Sequence, residues 1–493
     1  MFTKILIANR GEVAVRIIRA CREMGIATVA LYEPSDQSSL HIRLADECIQ
    51  LDSPADFFDQ AKLIAIAQER QAQAIHPGYG FLAEEASFIR ACDAAAIAFI
   101  GPPAEVVERV RNKIGALQQA KAAGYPTIAH SEIPFSEYEY EALEQTADQM
   151  GYPLVVKSCR GGRGAGERLV YNPDKLAETV RRARAEAQAV FGHKQVYLEK
   201  AVLPAHQVNV QIVGDQYGHL IHLGEREGSL QVGSRKLIEE SPAPCLSQEQ
   251  RQKLWQTALE LAQLFNYQNV GTVEFLVDGA GHFYFTEFKS RLQVEHPITE
   301  ARTHINLVRE QIRLAAGEPL PWQQTDIHFY GHAMLCRINA EDPWNHYLPS
   351  PGHLQRVRWP GGHGVRVDTY VQCGSDVPAA YDPLIAKLTA WGSDRHMCAL
   401  RLRCALEDSK LIGTTTNLPL LQSILHAPEF LAGQYDTEFL SYPFVSDEHS
   451  AIYFRDLAAI VAVLHQQRNE SFQPAPSPRG ENGWHRASRR LPQ

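Results

Sequence analysis

The alternation of apolar and polar positions divides this chain into strands and helices. Residues 4–8, KILIA, predict a buried strand; Val13, Ile17, Ile18 and Cys21 share one face of a helix over 13–24; and 27–32 predict a second strand. Strand, helix and strand in succession form a βαβ unit, which implies a parallel sheet with the helix on one face. The pattern then predicts a helix over 103–123, a strand at 152–157, a glycine-rich loop, and a strand at 168–171. A helix over 173–189 and a strand at 195–200 follow, then alternating strands at 206–213 and 219–225, a charged turn over 226–236, a helix over 249–265 and a strand at 271–277. Residues 328–445 are strand-rich with Gly and Pro turns and two helices, and read as a separate α+β region. An amphipathic helix over 451–467 precedes a Pro-, Ser- and Arg-rich tail expected to be disordered.

One stretch stands apart, FYFTEFKSRLQVEHPITE at 283–300. If extended, it sets Glu287, Lys289, Arg291, Gln293 and Glu295 on one face and Phe288, Leu292 and Val294 on the other. The row is too long for one compact site if straight, so a bend is expected. Thirteen residues earlier Glu274 lies in the apolar run GTVEFLV, and Glu287 is also flanked by apolar residues. Buried carboxylates need a cation or hydrogen bonds. On neighbouring strands the two suit Mg²⁺, or each pairs with a Lys or Arg. Arg337, in AMLCRIN, likewise calls for an anionic partner or forms a structural ion pair. Lys157 enters the glycine-rich loop, where backbone amides and an ammonium suit phosphate, although such loops are also often only mobile. Tyr79, in HPGYG, either meets a ligand or covers the sheet end, and Glu199 and Lys200 at a strand end either read a ligand or are edge charges.

Composition narrows the classes. The 493 residues are 45% hydrophobic, enough for about three domains. A net charge of −9 gives no general bias toward nucleic acid or anionic membrane. Nine scattered cysteines without a CxxC pair argue against a zinc site or a disulfide framework. The first residues already read as a strand, leaving no room for a signal peptide, and no apolar run approaches membrane-spanning length; a cytoplasmic protein is expected.

IANRGE at 7–12, HPGYGFL at 76–82, EESPAP at 239–244, RLQVEHPITE at 291–300 and CRINAEDP at 336–343 together resemble the biotin carboxylase family of ATP-grasp enzymes, over residues 2 to about 445. The resemblance implies an α/β and α+β multidomain fold: an amino-terminal parallel-sheet α/β domain at 1–115, an ATP-grasp domain at 116–327 with a lid near 130–203, a carboxy-terminal α+β domain at 328–445, and a helix and tail at 446–493. It implies that ATP activates bicarbonate as carboxyphosphate and that the carboxyl group passes to biotin. In that reaction Glu295 is the general base, Lys236, Arg291, Gln293 and the backbone of Val294 hold bicarbonate, and Arg337 stabilises the biotin enolate, with Tyr79 assigned to the substrate region. Glu274 and Glu287 hold Mg²⁺ or Mn²⁺, while Lys113, Lys157, Gly162, Gly164, Glu199, Lys200, Gln231 and Leu276 contact ATP.

Departures from the family cluster at the nucleotide. The lid loop contains Arg160, Arg163, Ala165 and Glu167; Gln207, Asn209 and Ser234 stand at positions of a family histidine, glutamate and histidine; and Lys289 replaces an asparagine that helps hold a second Mg²⁺. A catalytically impaired paralogue with a regulatory or structural role is the competing reading. No methionine has a lysine neighbour, so biotin is expected on a separate biotin carboxyl carrier protein, with carboxyltransferase subunits completing an acetyl-CoA or other acyl-CoA carboxylase. Arg19, Glu23 and Arg366 fall at family dimer positions and imply a homodimer, and the tail with Trp484 is a docking segment or a solvated end.

Overall fold

A computed structural model describes residues 1–159, 168–233, 235–440 and 458–465. Residues 1–440 form one compact unit; in the remainder, 458–465 are helical and exposed. The expected lid residues Arg160, Gly162, Arg163, Gly164, Ala165 and Glu167, together with Ser234, Trp484 and the rest of the tail, lie outside the described residues.

The amino-terminal βαβ expectation holds. Strands β1 (Lys4–Ile7) and β2 (Ala27–Tyr32) flank helix α1 (Gly11–Glu23), and with β3 (Glu47–Gln50), β4 (Ala74–His76) and β5 (Ala98–Phe99) they build a parallel sheet ordered β3-β2-β1-β4-β5. The inner strands β1, β2 and β4 are mostly buried and largely apolar, while the edge strand β3, half polar, is only partly buried. The helix expected over 103–123 is two helices, Ala104–Arg111 and α2 (Lys113–Ala122). Asn112 breaks it: its side chain accepts the Gly115 amide at 3.1 Å and caps α2, which starts on Lys113.

A small antiparallel sheet follows, β6 (Leu154–Ser158) between β7 (Arg168–Val170) and β8 (Val196–Lys200), backed by the helix Leu176–Phe191. The large sheet comes next: β9 (Ala205–Gly214), β10 (Leu220–Val232), β11 (Arg235–Ser241), β12 (Asn269–Asp278), β13 (Phe283–Lys289), β14 (His332–Asn339), β15 (Val365–Thr369) and β16 (Leu384–Gly392). Its order is β13-β12-β9-β10-β11-β14-β16-β15. Residues expected as a charged turn over 226–236 are strand almost throughout, because their charged side chains find partners inside the molecule. The strand-rich region after 328 supplies three strands to this same sheet through the β11–β14 pairing. The family-like boundary near 327 therefore runs through a continuous hydrogen-bonded sheet.

The 283–300 stretch is strand only to Lys289. Ser290 donates its backbone N–H to Glu84 at 3.1 Å, the chain turns, and helix α3 (His296–Thr303) begins after Glu295 with a proline in its first turn.

Candidate active site

Four charges from three segments meet in a buried cluster. Lys236 Nζ lies 2.7 Å from Glu295 Oε1 and 3.1 Å from Glu239 Oε1; Arg337 lies 2.8 Å from Glu239 Oε2 and 3.0 Å from Glu295 Oε2. Residues three apart on a regular strand face opposite ways. Here Lys236 and Glu239 converge because the β10–β11 register shifts around Leu230. Arg337 comes from β14, and Glu295 stands at the amino-terminal end of α3, where the helix dipole favours a carboxylate, with its side chain given to Lys236 and Arg337 and not to the helix amides.

The two carboxylates are driven apart. Burial pushes Glu295 up, but Lys236, Arg337 and Arg226 outweigh it and hold it well below the usual carboxylate range. Burial also pushes Glu239 up, and there the neighbouring Glu295 charge helps keep it raised against Arg337 and Lys236. Glu295 thus stays ionised and can accept a proton.

Arg226 supports this cluster from beneath. It is 1% exposed, and it donates to Gln211 Oε1 at 2.8 Å, Thr299 Oγ1 at 2.6 Å and Gln293 Oε1 at 2.7 Å. Gln293 in turn donates to Glu274 Oε1 at 2.7 Å, and Gln207 lies 3.4 Å from Glu274 Oε2. Val294 sits half-buried in the turn before α3. Arg291 points elsewhere: its Nε donates to Glu84 Oε2 at 3.1 Å and its NH1 to the Leu292 carbonyl at 3.0 Å.

Glu274 and Glu287 are directly opposed across β12 and β13. Two hard-oxygen donors side by side fit a magnesium or manganese ion. Glu287 already carries two ammonium groups, Lys289 at 2.8 Å from Oε1 and Lys113 at 3.4 Å from Oε2. Burial raises it, yet Lys113, Lys289 and Lys157 hold it far below the usual range. Lys157 also pairs with Glu199 at 2.9 Å, whose other oxygen accepts from Tyr197 at 2.6 Å. Lys200 faces the backbone, donating to the carbonyls of Gly151 and Tyr152 at 2.9 Å each. Gln231 lies opposite Lys236 on the β10–β11 ladder, and Leu276 opposite Gln207 and Tyr284. Tyr79 packs on the amino-terminal core with its ring 5.8 Å from Lys387 Nζ, and its carbonyl accepts from Asn9 at 2.8 Å.

Glu84, Arg226 and Glu239 were not foreseen as site residues. Glu239 stands in the motif EESPAP and Arg226 in the expected turn, yet only the long-range pairing of strands reveals their partners.

An amino-terminal α/β sheet, a small lid-like sheet and a large antiparallel sheet around a buried charge cluster define an ATP-dependent ligase architecture. Three family models match in order: the biotin carboxylase N-terminal domain over 1–107, the carbamoyl-phosphate synthase L chain ATP-binding domain over 112–323, and the biotin carboxylase C-terminal domain over 335–442. The chain is 45% identical to a biotin carboxylase of Nostoc sp. over 442 residues, covering 89% of this chain and 98% of that protein. It is 41% identical to a pyruvate carboxylase subunit of Methanothermobacter thermautotrophicus, covering 89% and 90%. The crystal structure of the biotin carboxylase domain dimer of Hydrogenobacter thermophilus 2-oxoglutarate carboxylase, with MgADP, ADP and bicarbonate, superposes with a TM-score of 0.87 at 40% identity, covering 90% of this chain and 97% of that one. The chain belongs to the biotin carboxylase family.

Proposed function

We propose that this protein carboxylates biotin on a separate carrier protein with ATP and bicarbonate, as the first half-reaction of an acetyl-CoA or other acyl-CoA carboxylase. The observation that carries the reading is the Lys236–Glu295–Arg337–Glu239 cluster, with Gln293 fixed beside it. Lys236 and Gln293 hold bicarbonate, with Arg291 at the edge and the Val294 backbone behind it. Glu295, ionised at neutral pH, takes the bicarbonate proton as the freed oxygen attacks the γ-phosphorus. The new O–P bond forms as the bond to ADP breaks, giving carboxyphosphate. The C–O bond of carboxyphosphate then breaks to release phosphate, which takes the N1′ proton of biotin as N1′ takes the carboxyl carbon, and Arg337 faces the ureido oxygen where negative charge develops.

On the nucleotide side, Lys113, Lys157, Gly162 and Gly164 serve the phosphates, and Glu199, Lys200, Gln231 and Leu276 the base and its surroundings. Glu274 and Glu287 would hold Mg²⁺ or Mn²⁺, which neutralises charge on the transferring phosphoryl group. Tyr79 stays in a packing role at the substrate side. The domain limits 1–115, 116–327 and 328–445 describe the working parts, and the chain acts as a cytoplasmic homodimer with a biotin carboxyl carrier protein and carboxyltransferase subunits.

The test is bicarbonate-dependent ATP hydrolysis stimulated by free biotin. Stimulation abolished by Glu295→Ala in a folded protein supports the reading. A wild-type rate no higher than that of Glu295→Ala favours an impaired paralogue.

A further inference from the structure

Outside the charge cluster, His206 on β9, Glu227 on β10 and Cys245 in the loop after β11 converge. Their ligand-type atoms, a ring nitrogen, a carboxylate oxygen and Sγ, all lie within 4.8 Å of one another. The sheet explains part of this. Glu227 pairs across the ladder with Val208, so His206, two residues away, stands on the same face as a diagonal neighbour. The proline-rich turn Ser241 to Pro244 then brings Cys245 alongside.

The partners of Glu227 set it apart. It is 1% exposed, and Glu225, Glu239 and Glu240 nearby are no more exposed. Each of those three forms an ion pair with an arginine: Glu225 with Arg251, Glu239 with Arg337, Glu240 with Arg395. Among the described residues, the only ion-pair partner of Glu227 is His206, whose Nδ1 is 2.7 Å from Oε1. Ser229 Oγ donates to the same oxygen at 2.8 Å, and the Cys245 amide approaches Oε2 at 3.5 Å. Here the buried carboxylate is partnered by an imidazole instead of an arginine and lies beside a thiol, so three different metal-donor types stand together. A cavity of about 480 Å³, lined by His206, Cys245, Asp278 and Asp436 among others, gives solvent access.

The geometry points to a transition-metal site of the zinc class, with His206, Glu227 and Cys245 as three ligands and a fourth position open to the cavity. Thiolate, imidazole and a single carboxylate select Zn²⁺ over Mg²⁺, so this site and the Glu274–Glu287 pair draw on different ions. On binding, the metal replaces two protons that pass to solvent: the thiol proton of Cys245 and the one shared by His206 Nδ1 and Glu227. Ser229 remains as the outer hydrogen bond that orients the carboxylate. The three ligands lie 21 and 18 residues apart, at positions 206, 227 and 245, which is why no short cysteine motif announces them. The site also anchors the end of the compact unit, since Thr437 donates its amide to the Ala205 carbonyl at 2.9 Å beside it.

The full chain, stripped with chelator, is titrated with Zn²⁺ and separately with Co²⁺. One tight equivalent of Zn²⁺ is expected, and the cobalt protein should show tetrahedral visible bands with a thiolate-to-cobalt charge-transfer band. Cys245→Ser should lose that charge-transfer band, and His206→Ala should weaken Zn²⁺ binding more than about tenfold. Glu287→Gln should keep the zinc equivalent, which separates this site from the magnesium pair. A wild-type cobalt spectrum without a thiolate band overturns the proposal whether or not the variants fold. So does zinc affinity that is the same in folded Cys245→Ser, His206→Ala and wild type.

Discussion

Replacing Arg226 with methionine tests whether the bicarbonate end of the site is held in place from below. The guanidinium is buried and makes three close contacts, to Gln211, Thr299 and Gln293. Methionine fills similar length with no donor. Thr299 keeps its own hydroxyl proton and can turn to another acceptor, so two amide oxygens, on Gln211 and Gln293, lose their donor. A buried acceptor left unpaired costs about 1–3 kcal/mol, so Arg226→Met should lower unfolding free energy by about 2–6 kcal/mol. The Gln293 amide would keep its N–H on Glu274 at 2.7 Å but lose the donor that holds its oxygen, so its position beside the anion site would loosen. Because Gln293 acts in binding, the kinetic signature is a raised KM for bicarbonate with a smaller change in kcat. Arg226→Lys keeps the charge but not the fork, and should fall between the two. Urea unfolding gives the stability, and ATP hydrolysis against bicarbonate concentration gives the kinetics. A loss below about 1 kcal/mol with an unchanged KM would refute the supporting role.

Three further outcomes follow from the buried charges. Glu240 is pushed up by burial, but His332 and Arg395 bring it down to about 2, so its contribution is present above the unfolded carboxylate value and is lost as pH falls from about 4.5 toward 2. The slope of stability against pH in that window should flatten in Glu240→Gln, and an unchanged slope in urea titrations rules out this assignment. Lys289→Asn removes the ammonium 2.8 Å from Glu287 and should strengthen Mg²⁺ binding in the nucleotide complex by about tenfold, read by Mg²⁺ titration at fixed ADP; weaker Mg²⁺ binding counts against competition between the two cations. Lys387, fully buried, pairs with Glu12 at 2.9 Å, so Lys387→Met should cost about 3–5 kcal/mol in thermal or urea unfolding, with most of it regained in the Glu12→Gln, Lys387→Met double variant. Equal loss in the single and double variants would show that packing, not the stranded charge, sets the cost.

Strands β1 and β2 were legible as apolar runs and α1 followed from one clear stripe, whereas β3, β4 and β5 run two to four residues, too short to carry a pattern. Glu274, Glu287 and Arg337 were legible as buried charges in need of partners, and each has one. The strand 226–232 was misread as a turn because its charges look solvent-directed in one dimension. Arg226 and Glu227 are instead both about 1% exposed, satisfied by groups up to 73 residues away. The helix break at Asn112 was hidden by unbroken helical spacing on either side, since a cap needs only one side chain and one amide.

The row of charges at 283–300 shows why local period alone misassigns a site. A straight strand would carry Glu287 and Glu295 on one face and spread a single line of charge along it. Glu84 prevents this by accepting the amide of Ser290 and the Nε of Arg291 at the point where β13 ends. The bend separates the charges into two groups with different balances. At the β13 end, Lys113, Lys289 and Lys157 act on Glu287, with Glu274 opposite it across the ladder, a balance that suits a metal and an anionic triphosphate. After the bend, Lys236 and Arg337 face two carboxylates, Glu239 and Glu295, so the four formal charges cancel. An arriving bicarbonate adds a negative charge to that second group, and a proton on Glu239, whose carboxyl is already raised by burial and by Glu295, restores neutrality while leaving Glu295 ionised to act as base. Bicarbonate affinity should therefore weaken as pH rises through the Glu239 transition, and Glu239→Gln, which fixes the protonated-like state, should remove that dependence. A bicarbonate KM that rises with pH equally in wild type and Glu239→Gln would assign the effect to another group.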